Sequence, residues 1–205
     1  MTEVVPFVTK ARTVDHLGRE QIADTPTAIS ELWKNAYDAY ARNVELHIFD
    51  SDIPIATMVD DGHGMNKDDF VNKWLVVGTE SKASGENTSE IDRDGLPERP
   101  KQGQKGIGRL SSAILGPLLL VVSKKIDSSF VAALIDWRLF ENPFLFLNDI
   151  KIPVIEFDEI TELQRELPSM FDSLMDNIWG AEADSKRKTR IVSAWDSFDE
   201  LEIRE

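Results

Sequence analysis

Helical and strand patterns follow one another along this chain without the βαβ alternation that builds a parallel sheet. The first helix follows ADTPTAIS, where Asp24 or Thr25 can cap and Pro26 suits the first turn. Its apolar positions Ile29, Leu32, Trp33, Ala36 and Tyr40 recur at helical spacing. A strand alternating Val44, Leu46 and Ile48 comes next, and a second over 53–60 runs into VDDGHGM. Asn66 can cap a short helix over 66–77, and another helix is expected from Arg109 to Leu115. Strands follow over 117–123, 129–137 and, with a weaker pattern, 151–157. The helical pattern over 160–179 is interrupted at Pro168, and KTRIVSAW (188–195) reads as a closing strand. This order predicts an α/β (α+β) two-layer sandwich, one mostly antiparallel mixed sheet covered on one face by helices.

Between the two halves lies ASGENTSEIDRDGLPERPKQ (83–102), which is polar, rich in turn formers and almost without large apolar groups. A stretch of that kind inside a compact domain is a functional lid or a disordered linker. The 205 residues suit one domain. No apolar run approaches the ~18 residues of a membrane span, and MTEVVPFVTK lacks the basic start and apolar core of a secretory signal. Cysteine is absent, which removes disulfides and thiolate-bound metal and agrees with a cytoplasmic protein. His16, His47 and His63 stand at no metal-ligand spacing, so no zinc site is expected. A net charge of −14 argues against broad nucleic-acid binding by this segment. The local basic run SKRKTR (185–190) reads as a solvated turn before a strand.

ELWKNAYDAY (31–40) raises the functional question. At about 100° per residue, Glu31, Asn35, Asp38 and Arg42 form one stripe opposite the apolar face of the helix. An ordinary surface helix carries such a stripe. Two glycine-rich segments change its meaning. VDDGHGM places Asp60, Gly62 and Gly64 directly after a strand, and GQKGIG places Gly103, Gly106 and Gly108 directly before a helix. Glycines let backbone amides approach a phosphate, and a following helix N-terminus adds a positive dipole. GQKGIG is not a Walker loop, and it does not follow a strand as a dinucleotide fingerprint does.

In order, the chain carries E-x-x-x-N-A-x-D-A (Glu31 to Ala39), D-x-G-x-G-M (Asp60 to Met65), G-T-x-S-K (Gly78 to Lys82) and G-x-x-G-x-G (Gly103 to Gly108). This ordered set resembles the GHKL ATPases: the ninety-kilodalton heat-shock chaperones, type II topoisomerases, sensor histidine kinases and MutL mismatch-repair proteins. The resemblance runs from about residue 20 to 123, and more faintly to KTRIV near 190. It implies the Bergerat fold, a single ATPase domain over 1–205 and a nucleotide lid at about 78–108.

Carried over residue by residue, the resemblance makes Glu31 the general base for the water that attacks the γ-phosphate. Asn35, one turn on, would ligate Mg²⁺ through its side-chain oxygen. Asp60, two residues before Gly62 as Asp61 is not, would accept a hydrogen bond from the adenine amino group. Gly62 and Gly64 would let the base lie against backbone, with Met65 either near it or in the core. Asp38 matches a position that orients neighbours or nears the sugar. Gly103, Gly106 and Gly108 would wrap the phosphates. Lys105 and Lys82 either meet the triphosphate or stay solvated, and Thr79 and Ser81 either line the nucleotide or cap locally. Thr189 in KTRIV resembles a late threonine under the base, although Lys188 stands where the usual glycine would be.

The leading expectation is Mg²⁺-dependent ATP hydrolysis, with lid closure coupled to an ATP-dependent homodimer or to partner domains beyond residue 205. The family supplies a γ-phosphate lysine from a neighbouring domain, for which this chain has little room after its last strand. It is therefore expected to be the N-terminal fragment of a longer protein. The alternatives are a nucleotide-dependent switch, chaperone module or DNA-transaction module with negligible turnover, and a histidine-kinase-type phosphotransfer domain. Glu31 and the lack of a preceding phospho-accepting histidine helix argue against the last. GQKGIGRL and the acidic lid lean toward large GHKL proteins, some of which act in phage defence.

Overall fold

The structure is a computed structural model that describes residues 2, 4–20, 22–77, 89–102, 108–180 and 184–203. Helix α1 (Arg12–Asp15) continues as a π-helical turn, His16–Glu20, before α2 (Thr25–Asp38). Of the two expected caps of α2, Asp24 is the one used: its Oδ1 accepts from Thr27 N at 2.8 Å, with Pro26 in the first turn. Strands β1 (Val44–Phe49) and β2 (Ile55–Asp60) form an antiparallel hairpin that pairs Val44 with Asp60. Asn66 Oδ1 caps α3 (Lys67–Asp69), which runs into a π-helical turn, Phe70–Trp74.

Helix α4 (Glu90–Arg93) occupies part of the polar stretch read as loop. Ser89 Oγ accepts from Asp92 N, so a local cap gives this short turn what its composition lacks in apolar surface. A 3₁₀ turn (Gly108–Ser111) and α5 (Ser112–Leu115) form the helix expected before the central strands. Then come β3 (Leu118–Lys124), β4 (Phe130–Asp136) and β5 (Val154–Phe157), followed by α6 (Ile160–Trp179) and α7 (Ser185–Glu202).

The α+β class and the antiparallel pairing are as the sequence predicts. The strands nevertheless form two ladders, β1–β2 and β3–β4–β5, where one sheet was expected. Both faces of β4 are covered, not one. Ala132 and Leu134 join the main core with Leu163, Met170 and Leu174 of α6, while Val131 and Ala133 pack with Phe70. That is why β4 is apolar throughout while edge strand β3 alternates between exposed and half-buried positions.

Two local readings are corrected. The segment 188–195 is not a strand but the middle of α7. Asp184 caps that helix through the amides of Lys186 and Arg187, and Arg187, Ile191 and Ala194 are buried at helical spacing. The β-branched run looked strand-like only within an eight-residue window. Helix α6 also runs unbroken through Pro168, because its buried stripe (Leu163, Met170, Leu174) continues on both sides of the proline. That packing outweighs the one lost backbone hydrogen bond.

The two long helices close on a buried polar knot. Asn177 Oδ1 accepts from Lys151 N at 2.8 Å and from Arg187 Nη2 at 2.9 Å, and its amide donates to Lys151 O at 2.8 Å. Arg187 also donates to Asp149 O, and Arg190 holds the Asp149 carboxylate. Buried groups joined in one network of this kind make the docking of α6 on α7 specific. Asn177→Ala strips Lys151 and Arg187 of these partners at a site 1% exposed. Urea unfolding should show a loss of about 2–4 kcal/mol.

Candidate active site

Both glycine turns that carry the sequence signal rest on helix α2. Gly62 lies against the end of the helix: a Cβ there would stand 2.8 Å from both Cβ and O of Ala39. His63 N donates to Ala39 O at 2.8 Å and fixes that contact. Gly64 adopts φ +63°, and a side chain on it would overlap the backbone of Lys124 in β3. Only glycine fits, for conformation and for space alike. Met65 N donates to Ser123 Oγ at 2.9 Å, and the Met65 side chain packs with Phe70 and Val131 in the core.

Gly108 brings the second turn to the polar stripe. A Cβ at this position would lie 3.2 Å from Glu31 Oε2, 3.6 Å from Asn35 Oδ1 and 3.7 Å from Asn35 Nδ2. Ser111 Oγ tightens the approach by donating to Gly108 O and to Ala28 O of α2. Arg109 donates to the backbone carbonyls of Lys73 and Trp74, so it ties this turn to the segment ahead of G-T-x-S-K. Burial pushes the Arg109 guanidinium below the ordinary arginine value. Asp38, also on the stripe, accepts from Gln102 N at 2.8 Å. The structure thus gathers Glu31, Asn35, Asp38 and Gly108 along one edge of α2, with Gly62 at its end.

Neighbouring aspartates divide the work at the end of β2. Asp61 Oδ1 accepts from Arg42 N and Asn43 N, and Oδ2 accepts from Asn43 Nδ2. Its carboxylate closes the α2–β1 turn. Asp60 is exposed and accepts from Gly62 N at 3.0 Å, which orients it at the mouth of the glycine turn.

A family model described as "Histidine kinase-, DNA gyrase B-, and HSP90-like ATPase" matches residues 24–166, more than two-thirds of the chain. The chain belongs to this family. It is also 33% identical over 134 residues to "ATPase morc-1" of Caenorhabditis elegans, a match covering 64% of this chain and 14% of that protein. The chain therefore spans a small part of that relative's length.

Several expected positions of this GHKL domain, Thr79, Ser81, Lys82, Gly103, Lys105 and Gly106, lie outside the described residues. Thr189 sits on exposed α7, where its Oγ1 donates to Ser185 O at 2.8 Å. It lines a recess with Phe144, Phe146 and Arg190, and it stands on a helix where a strand was expected. Sequence reasoning missed Lys34, whose Nζ meets Glu31 Oε1 at 2.6 Å, although its i,i+3 spacing was visible. It also missed Arg99, which no pattern flagged. Among the described residues no helix is long and apolar enough to cross a membrane.

The Asp61 turn gives a pH prediction. Amide donors, chiefly Asn43, hold its carboxyl below the ordinary aspartate value. The folded pKa is depressed, so the stabilisation is complete above the ordinary range and is lost as pH falls through the lowered value. Asp61→Asn should therefore lower stability at pH 7 and flatten the acid limb below about pH 4, read by urea unfolding across pH.

Proposed function

We propose that this GHKL domain binds ATP along the edge of α2 and hydrolyses it, with Glu31 as general base. The observation that carries the reading is the approach of Gly108 to the Glu31–Asn35 pair. A glycine leaves room at that point for a phosphate beside a carboxylate and an amide. Asp60, oriented by the Gly62 amide, would accept from the adenine amino group at the far end of the same edge. Because its carboxylate is acceptor-only, it selects the amino group of adenine over the carbonyl of guanine.

Among the described residues no three His, Asp or Glu side chains converge to hold a metal. That suits Mg²⁺, which takes most of its ligands from phosphate and water and needs few from protein. Asn35 would hold it, and bound there it would neutralise charge on the phosphates. The protein's own part is to place the base and exclude competing geometries. Glu31 takes the proton of the attacking water, help worth typically 10²–10⁴-fold.

The Lys34–Glu31 ion pair favours a second reading, a nucleotide-dependent switch with slow turnover. One carboxylate oxygen is then engaged, which leaves only Oε2 for the attacking water. Coupling to a second copy or to neighbouring domains, and the process served, whether chaperone, DNA transaction or anti-phage defence, depend on partners outside this site.

Glu31→Ala should cut ATP turnover by at least about 100-fold while leaving ATP binding within a few-fold, read by phosphate release and calorimetry. Equal turnover of wild type and variant would favour the switch. Asp60→Asn should cost about 1.5–3 kcal/mol of ATP affinity, the range for a hydrogen bond to a charged group. Unchanged affinity by calorimetry would remove Asp60 from the adenine site.

A further inference from the structure

Arg99 lies in the polar stretch, between Pro97 and Pro100, and reaches back to the C-terminal end of α2. Its Nη1 donates to Tyr37 O at 3.1 Å and to Ala41 O at 3.0 Å, and its backbone N donates to Tyr40 OH at 3.2 Å. The guanidinium carbon stands 4.8 Å from the Tyr37 ring centroid and 5.4 Å from that of Tyr40. A planar cation is well placed here: carbonyls at a helix C-terminus lack intrahelical donors and carry the negative end of the dipole. Tyr40 itself turns the chain at φ +62°.

The same stretch is held at other points. Arg42 Nη2 donates to Asp94 O at 2.7 Å and pairs with its carboxylate at 2.9 Å. Asp92 lies 3.6 Å from Lys125 Nζ. Three residues after Arg99, Gln102 N meets Asp38 Oδ1, and the next residue opens the glycine box. At the exit of the box, Gly108 rests on Glu31 and Asn35. Gln102 and Gly108 are therefore both referenced to one helix, and Arg99 makes the most extensive of the described contacts on the Gln102 side.

We propose that Arg99 is a positioning residue for phosphate binding: it latches residues 99–102 onto the end of α2 and so holds Gln102 against Asp38 on the edge that carries Glu31 and Asn35. It touches neither the proposed adenine position nor the catalytic carboxylate. This inference rests on the ATP reading of the site. It predicts a selective effect, in which the phosphate-dependent part of nucleotide affinity falls and the adenine-dependent part does not.

The test compares wild type, Arg99→Met and Arg99→Lys for binding of Mg-ATP by calorimetry and of adenosine by ligand-observed NMR. Hydrogen exchange of residues 99–102 is followed in parallel. Arg99→Met should weaken ATP about tenfold, about 1.4 kcal/mol, keep adenosine within twofold, and speed exchange at 99–102. Arg99→Lys should behave like Arg99→Met, because an ammonium has no planar face to lie against the Tyr37 and Tyr40 rings while it donates to the two carbonyls. Wild-type ATP affinity in Arg99→Met overturns the latch. Equal losses for ATP and adenosine, or full rescue by lysine, also overturn it, as signs of general destabilisation or of simple charge. If the wild type binds neither ligand, the ATP reading itself falls and the latch with it. Normal wild-type binding with no selective loss overturns the latch alone.

Discussion

Two glycines bring backbone close to one helix, Gly62 closer than any side chain would permit and Gly108 within tight contact of the polar stripe, and the candidate site depends on that approach. Gly62 rests on Ala39 and Gly108 on the Glu31–Asn35 pair, so α2 is the ruler against which the proposed base and phosphate ends are measured. Small residues at these points let the backbone close in on α2. The small Ala39 in E-x-x-x-N-A-x-D-A and Gly62 of D-x-G-x-G belong to one packing contact. That contact is a physical reason for the motifs to occur together in this chain.

Arginines hold the irregular segments to that frame. Arg99 binds the end of α2, Arg42 reaches Asp94, and Arg109 joins the glycine turn to the carbonyls of Lys73 and Trp74. Each sets one guanidinium nitrogen on two oxygens, at least one of them a backbone carbonyl. On the other side of the molecule Arg187, Asn177 and Asp149 do the same for α6 and α7. A chain of net charge −14 thus spends several of its cations on internal carbonyls.

Much of the fold was legible because it rests on local rules. Asp24 and Asn66 mark helix starts by accepting from amides in their own turn, Pro26 suits such a turn by lacking an amide, and β4 announces itself as a continuous apolar run from Phe130 to Ile135. The misreadings share one cause. KTRIVSAW is β-branched over a short window, but the Asp184 cap and the burial of Arg187, Ile191 and Ala194 make it helix. Pro168 would stop an isolated helix, yet the core on both sides carries α6 through it. In each case packing that a local window does not contain overrides the local preference.

The sequence by itself determined the parts from which the candidate site is read: the spacing of Glu31 and Asn35 on one helix edge, the position of Asp60 two residues before Gly62, and the glycine at 108. These follow from helical periodicity and from the steric freedom of glycine, both of which act over a few residues. Only the tertiary structure decided how the parts are used. It commits Asp61 to the α2–β1 turn and leaves Asp60 exposed, sets Lys34 on Glu31, and brings Arg99 across sixty residues to the end of α2. Such assignments depend on which orphan carbonyls and amides the fold leaves within reach, and no stretch of sequence states that.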